Sequence, residues 1–413
     1  MKVVVLSTYY SPEQYSSLHL DSQRNEAFIR NDMEVLVNTP MPTRGISAEL
    51  RELYSTERQC EQLHNGRMTI YRFPLMREGK KSIGRALRYV LACTKQLLWA
   101  LFSKVADSAD LIFVSSTPPI QGAMAAIIKK VRRIPFIYNL QDIFPDSLVG
   151  TGMTKRGSLL WKIGRVIENF TYRNADKIIV ISQDFKRNIM EKGVPEEKIE
   201  VIYNWVEEDA VVNIPRSENL LFERYSLDRN KFYITYCGNI GLTQNMDLLL
   251  AVAKDLLQYS DIQFVLVGEG ADKKRVEERV VAEHIENVTL LPFQPYEDIS
   301  HVFSLGDIGL IISKPGVGEN SLPSKTWSIM SAERAVVANF DRNELESIIN
   351  DNQCGIFTEA GDSEAFKEAI LKLYQHRDLC VEMGRNGRQF VLANLTKEIG
   401  TRKTIEVIKQ FEK

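Results

Sequence analysis

Short runs of β-branched and other apolar residues alternate with helix-length segments along the whole chain, and that alternation admits few folds. Val3–Leu6, Glu34–Val37, Leu111–Val114, Phe136–Tyr138, Ile178–Ile181 and Val201–Ile202 are such runs in the first half. Most are apolar throughout rather than at every second residue, as strands covered on both faces of a parallel sheet must be. Between them, Ser17–Arg30, Ile120–Val131, Leu159–Tyr172 and Asp184–Glu191 read as helices. The alternation restarts with Phe232–Tyr236, Phe264–Val267, Val288–Leu291, Ile308–Ile312, Ala335–Ala338 and Gly355–Phe357. Strand–helix repetition means βαβ units, and two series of them mean two parallel α/β sheets. The 413 residues also exceed what one hydrophobic core usually organises. The charged stretch Val206–Asn230, broken by Pro215, is the expected junction. The reading is therefore a domain over 1–205, a second over 206–395, and a terminal helix over 396–413 that packs back across the junction.

Ligands of open α/β sheets sit beyond the carboxyl ends of the strands. The loops expected there are Thr8–Ser17, Gln141–Ser147, Gly238–Gln244, Gly268–Gly270 and Gly316–Ser324, and two facing domains would enclose a cleft. A net charge of −2 argues against nucleic acid as the partner. Five scattered cysteines without metal-ligand spacing read as free thiols of a reducing compartment. The longest uncharged run, Leu111 to Ile128, contains Ser115-Ser-Thr-Pro-Pro119 and suits strand, turn and helix better than a membrane span. With no secretory signal in Lys2–Leu6, the expected location is the cytoplasm. Ser7-Thr-Tyr-Tyr-Ser-Pro12 replaces any Gly-x-Gly-x-x-Gly after the first strand, which weakens a dinucleotide-oxidoreductase reading.

Two segments carry the chemistry. Tyr236-Cys-Gly-Asn-Ile-Gly241 is a glycine-containing turn directly after an apolar run, and Ser321-Leu-Pro-Ser-Lys325 opens a helix with a lysine in its first turn. A helix start already favours anions through its free N–H groups and dipole, so a lysine there either points to solvent or helps to hold something negative. The second reading is a clamp for the diphosphate of an activated substrate.

In order and spacing, further segments resemble a known family. Tyr9-Tyr-Ser-Pro-Glu13, Gln141-Asp-Ile-Phe-Pro-Asp146, Ala175–Ser182 and Gly193–Ile199 lie in the first half. Gly238–Gly241, Val267-Gly-Glu-Gly270, Leu322–Lys325 and Met383-Gly-Arg-Asn-Gly-Arg388 lie in the second. The chain resembles retaining glycosyltransferases of family 4, with the GT-B fold of two facing Rossmann-like domains and an interdomain cleft. It is most similar to the bacterial O-antigen, capsule and exopolysaccharide branch (fucosamine-transferase-like proteins). The resemblance implies transfer of a sugar from a nucleoside diphosphate, UDP in this branch, to a lipid-linked saccharide, with no metal and no separate cofactor. It implies that Gly238, Asn239, Ile240, Gly241, Ser324 and Lys325 hold the donor phosphates. It places Gly268, Glu269, Phe293, Gln294 and Ser328 at the nucleoside, and Glu319, Asn320 and Ser321 at the donor sugar. Ser16, Ser17 and Gln141 fall on the acceptor side.

The chain also departs from the pattern. Asn320 and Ser328 stand where the family usually has two glutamates, and Asn239 and Gln244 match a customary arginine and lysine. Lys325, with Lys314, is then the main remaining phosphate cation. Asp142 either accepts the acceptor's proton or caps the following turn. Residues 80–105, basic at Lys80-Lys81, Arg85 and Arg88 and then leucine-rich, read either as a peripheral contact with the inner membrane face or as a core helix whose arginines snorkel. Two other classes share the features: a sugar-nucleotide 2-epimerase-like isomerase, for which the histidines form no suitable cluster, and a non-catalytic sugar-nucleotide-binding protein.

Overall fold

The computed structural model describes residues 1–13, 18–79, 82–150 and 152–412, the side chains of residues 82 and 83 excepted. It divides into two compact units, Met1–Tyr203 with Glu398–Lys413, and Asn204–Lys397.

The first unit carries eight strands: β1 (Lys2–Leu6), β2 (Glu34–Pro40), β3 (Cys60–Leu63), β4 (Met68–Phe73), β5 (Leu111–Ser115), β6 (Phe136–Leu140), β7 (Lys177–Val180) and β8 (Ile199–Val201). Their order across the sheet is β3-β4-β2-β1-β5-β6-β7-β8, all parallel except β3. The continuous burial of β5 and β6 follows from their apolar sequences, because helices cover both faces. The edge pair β3–β4 has no counterpart in the expected strands. Its outer member, Cys-Glu-Gln-Leu, is short, mostly exposed and polar, so hydrophobic periodicity does not reveal it. The local signal is the turn His64-Asn65-Gly66, where all three residues have positive φ. The terminal helix Lys397–Lys409 places Ile405 and Ile408 among Val3, Phe28 and Val35.

The second unit holds β9 (Phe232–Cys237), β10 (Ile262–Val267), β11 (Val288–Leu291), β12 (Ile308–Ile312), β13 (Ala335–Phe340) and β14 (Gly355–Glu359). Their order β11-β10-β9-β12-β13-β14, entirely parallel, is the doubly wound Rossmann arrangement. The strand order reverses between β9 and β12, so the loops leaving these two strands border the place where such sheets take ligands. Arg388 holds the last residue of the helix Lys325–Ser331. Its guanidinium reaches the carbonyls of Glu208 and Val211 and both the carbonyl and hydroxyl of Ser331, tying the segment before β9 to the helix Lys325–Ser331.

Candidate functional site

Strand β9 is buried along its full length and ends at Gly238, whose φ is +132°. The turn that follows is zippered to the turn after β10. The Gly238 N–H donates to Val267 O at 2.9 Å, and the Ile240 N–H donates to Glu269 O at 2.9 Å. This approach requires Gly268, because a Cβ there would lie 1.9 Å from the Gly238 carbonyl oxygen. The Gly241 N–H is given to the Gln244 side chain at 3.1 Å. Of the amides expected to grip a diphosphate, those of Ile240 and Gly241 are thus engaged by the chain. The Asn239 N–H, with those of Ser324 and Lys325, finds no partner among the described residues.

The helix Lys325–Ser331 starts after Ser324, which makes no side-chain cap. Lys325 turns back onto β9. Its ammonium donates to the Tyr236 hydroxyl at 2.9 Å and lies 4.3 Å from the centre of that ring, while the hydroxyl donates to Asn239 O at 2.7 Å. A Cβ on Gly238 would stand 3.2 Å from the lysine nitrogen, so the glycine keeps that space open. The two distant motifs therefore meet at the carboxyl end of β9. Burial pushes Lys325 down to about 8, and no carboxylate among the described residues pairs with it. Burial also raises Tyr236, which stays a neutral phenol, and holds the Cys237 thiol up at about 12. A desolvated ammonium keeps its charge at a cost, and here one phenol oxygen takes only one of its three N–H donors.

The loop after β12 is fixed from the next strand. Asp341 accepts from the Gly316 and Gly318 N–H groups at 2.9 and 2.6 Å, and the Asn343 amide donates to Gly318 O and Ser321 O. The Lys314 N–H donates to Thr243 O, joining this loop to the one after β9. Glu319 is exposed on this loop, with Asn320 and Ser321 half-buried beside it. Ser328 is half-buried on the same helix face as Lys325. Glu269 is exposed and paired with Lys273 at 2.6 Å, which holds its carboxyl below the usual range. Phe293 presents an open ring, 71% exposed. The Gln294 side chain accepts from Arg224 and donates to the Tyr225 hydroxyl and Pro292 O. Tyr236, Asp341 and Asn343 were not expected from the sequence. Their roles are contacts across the sheet, for which no local pattern exists.

In the first unit, the Gln141 and Asp142 N–H groups both donate to the Ser116 hydroxyl, at 2.9 and 3.1 Å. The Gln141 amide reaches Asn139. The Asp142 carboxylate accepts from the Ser147 hydroxyl and the Ile143 N–H, a capping arrangement, and desolvation outweighs both bonds to raise its pKa. Glu13, fully buried, accepts from the Tyr10, Thr43 and Arg44 N–H groups and so fixes the loop after β1 to that after β2. Ser16 and Ser17 lie outside the described residues.

Each unit is thus built on a Rossmann-like sheet, and in the second a lysine without a carboxylate partner among the described residues stands at the carboxyl end of β9. Residues 26–205 match the family described as "Glycosyl transferase 4-like domain", and residues 217–390 match "Glycosyl transferases group 1". The chain belongs to these 4-like, group 1 glycosyltransferases and is an enzyme of that kind. It is 25% identical over 335 residues to the putative colanic acid biosynthesis glycosyl transferase WcaI of Escherichia coli, covering 80% of this chain and 81% of that one. It is 23% identical to the probable glycosyltransferase WbjE of Pseudomonas aeruginosa, over 60% and 62% of the two chains. Among solved structures, sucrose-phosphate synthase from Thermosynechococcus elongatus aligns with a TM-score of 0.77 at 15% identity, covering 99% of this chain and 98% of that one. HepE from Anabaena in complex with UDP aligns with a TM-score of 0.72 at 17% identity, covering 99% and 100%. The fold is that of GT-B glycosyltransferases.

Proposed function

We propose that the protein moves a sugar from a nucleoside diphosphate, UDP by preference, to a lipid-linked saccharide in bacterial surface-polysaccharide synthesis, with retention of configuration and without a metal. The observation that carries this is Lys325, a half-buried lysine with a desolvated ammonium and no carboxylate partner among the described residues, beside open main-chain amides at the carboxyl end of β9. The barrier in such a transfer is charge growing on the departing diphosphate, and fixed donors aimed at it lower that barrier most. The ammonium and the Asn239, Ser324 and Lys325 amides are placed to do so. Phe293 offers a face for the base, Gly268 and Glu269 border the ribose, and the Glu319–Ser321 loop borders the donor sugar. Asp142, with its raised pKa, is the group for the acceptor hydroxyl's proton. Relatives named for colanic acid and capsular polysaccharide synthesis support the pathway, and HepE complexes with UDP and UDP-glucose support the donor class.

No helix among the described residues is long and apolar enough to cross a membrane. A peripheral contact fits the surface of the first unit. The neighbouring helices Ser82–Phe102, Ile120–Arg132 and Leu159–Asn174 leave Leu98, Phe102, Val131, Leu159 and Val166 exposed, and Arg85, Arg133, Lys155 and Arg156 are exposed on or next to the same helices. Apolar side chains edged by bases suit the anionic inner face of a bacterial membrane. Flotation with phosphatidylglycerol vesicles checks this, and protein left at the bottom of the gradient removes the membrane from the account.

Incubation with labelled nucleotide sugars and a membrane extract tests the function. Label in a lipid-linked product supports transfer. Conversion of the donor itself would indicate the isomerase, and binding without turnover would indicate a sugar-nucleotide-binding protein.

A further inference from the structure

We propose that Tyr236 is a positioning residue: its one hydroxyl holds both the Lys325 ammonium and the Asn239 carbonyl, so that lysine and glycine turn meet a diphosphate as a single preorganised unit. This rests on the nucleotide-sugar reading above.

Tyr236 is fully buried as the fifth residue of β9, one position before the strand ends. Its hydroxyl accepts from Lys325 at 2.9 Å and donates to Asn239 O at 2.7 Å, so both capacities of the group are used. The ring lies beneath the ammonium at 4.3 Å, which gives a cation–π contact in a desolvated place where such contacts are strongest. A lysine side chain has four rotatable bonds and would otherwise sample many positions. Here one aromatic residue limits both its depth and its direction. The same hydroxyl fixes the Asn239 peptide, whose N–H is the turn's open donor. Phe at this position would fill nearly the same core volume, yet it could not make these bonds. The hydroxyl therefore has a purpose beyond packing.

This device suits a site short of charge. Asn239 and Gln244 are neutral, and Gln244 is spent on the Gly241 N–H. With few cations, the placement of the remaining one matters more, because the energy of a charged hydrogen bond falls steeply with misalignment.

Calorimetric binding of UDP and of uridine separates positioning from simple structure. Tyr236→Phe keeps the ring and removes the hydroxyl. The expected result is about ten-fold weaker UDP binding, unchanged uridine binding, and a smaller loss when the change is made in a Lys325→Ala background, where only the bond to Asn239 O is left to remove. Unchanged UDP affinity in Tyr236→Phe overturns the inference, as does an equal loss for UDP and uridine or a fully additive loss in the double variant. If the unmodified protein takes up uridine and UDP equally, the diphosphate reading of the site falls first and this inference with it.

Discussion

Two lysines with little solvent exposure show how differently this chain treats a desolvated cation. Lys192, in the first unit, is 9% exposed and lies between Asp146 at 2.7 Å and Glu168 at 2.9 Å, and Glu168 also accepts from Tyr172. Lys325, in the second unit, has a phenol and an aromatic face but no carboxylate among the described residues. The first fastens the start of the short helix Asp146–Gly150 to the helix Leu159–Asn174, next to the loop that carries Asp142. Its charge is neutralised by the fold. The second is the one that the proposed function assigns to the donor's diphosphate. A cation whose charge the fold does not use is evidence for a ligand; a cation fully used is evidence for architecture.

This contrast can be broken or sharpened by substitution. Lys192→Met should destabilise the protein by about 1–3 kcal/mol, because Asp146 loses its cation while Glu168 keeps Arg165 and Tyr172. Chemical denaturation reads this directly, and an unchanged midpoint would remove the distinction. Lys325→Ala should lower transfer about a hundred- to a thousand-fold while leaving the fold intact. Assays with the labelled donor check it, and a rate like that of the unmodified protein would return Lys325 to the class of Lys192.

Asp142→Asn should lower turnover by about a hundred-fold with donor affinity unchanged. Because the carboxylate form takes the proton, turnover should increase as pH rises through the Asp142 titration. Equal turnover in the two proteins would leave Asp142 only the cap that Ser147 and Ile143 make with it.

Lys325→Met should stabilise the ligand-free protein, by on the order of 2 kcal/mol at neutral pH. Below pH about 8 the lysine is charged in both folded and unfolded chains, so the burial penalty is present in full. Between about 8 and the free-lysine value of ~10.4, the folded protein releases a proton that the unfolded chain keeps. The stability of the unmodified protein should therefore climb towards that of Lys325→Met across this window. A constant difference between the two melting curves from pH 7 to 10 would contradict the depressed pKa.

Much of the fold was legible because strands buried on both faces must be apolar throughout, and β1, β5, β9 and β12 say so in their own residues. The edge strand β3 was not, since a solvent-facing strand needs no such pattern. The site was legible where one residue type serves one purpose, as with the glycines at 238 and 268 and the lysine opening a helix. It was not legible where residues act across the sheet. Tyr236 looks like any core aromatic until Lys325 folds onto it, and Asp341 looks like a surface carboxylate until it takes the Gly316 and Gly318 amides. The same holds for the Gln294 amide, whose bonds to Arg224 and Tyr225 no local pattern announces.

The most direct measurement is an NMR titration of the Lys325 ammonium in isotope-labelled protein, assigned with Lys325→Arg, without and with saturating UDP. The account predicts a midpoint near 8 in the free protein, rising by at least one unit when the diphosphate binds. An identical midpoint in the two states would mean that the charge faces no phosphate.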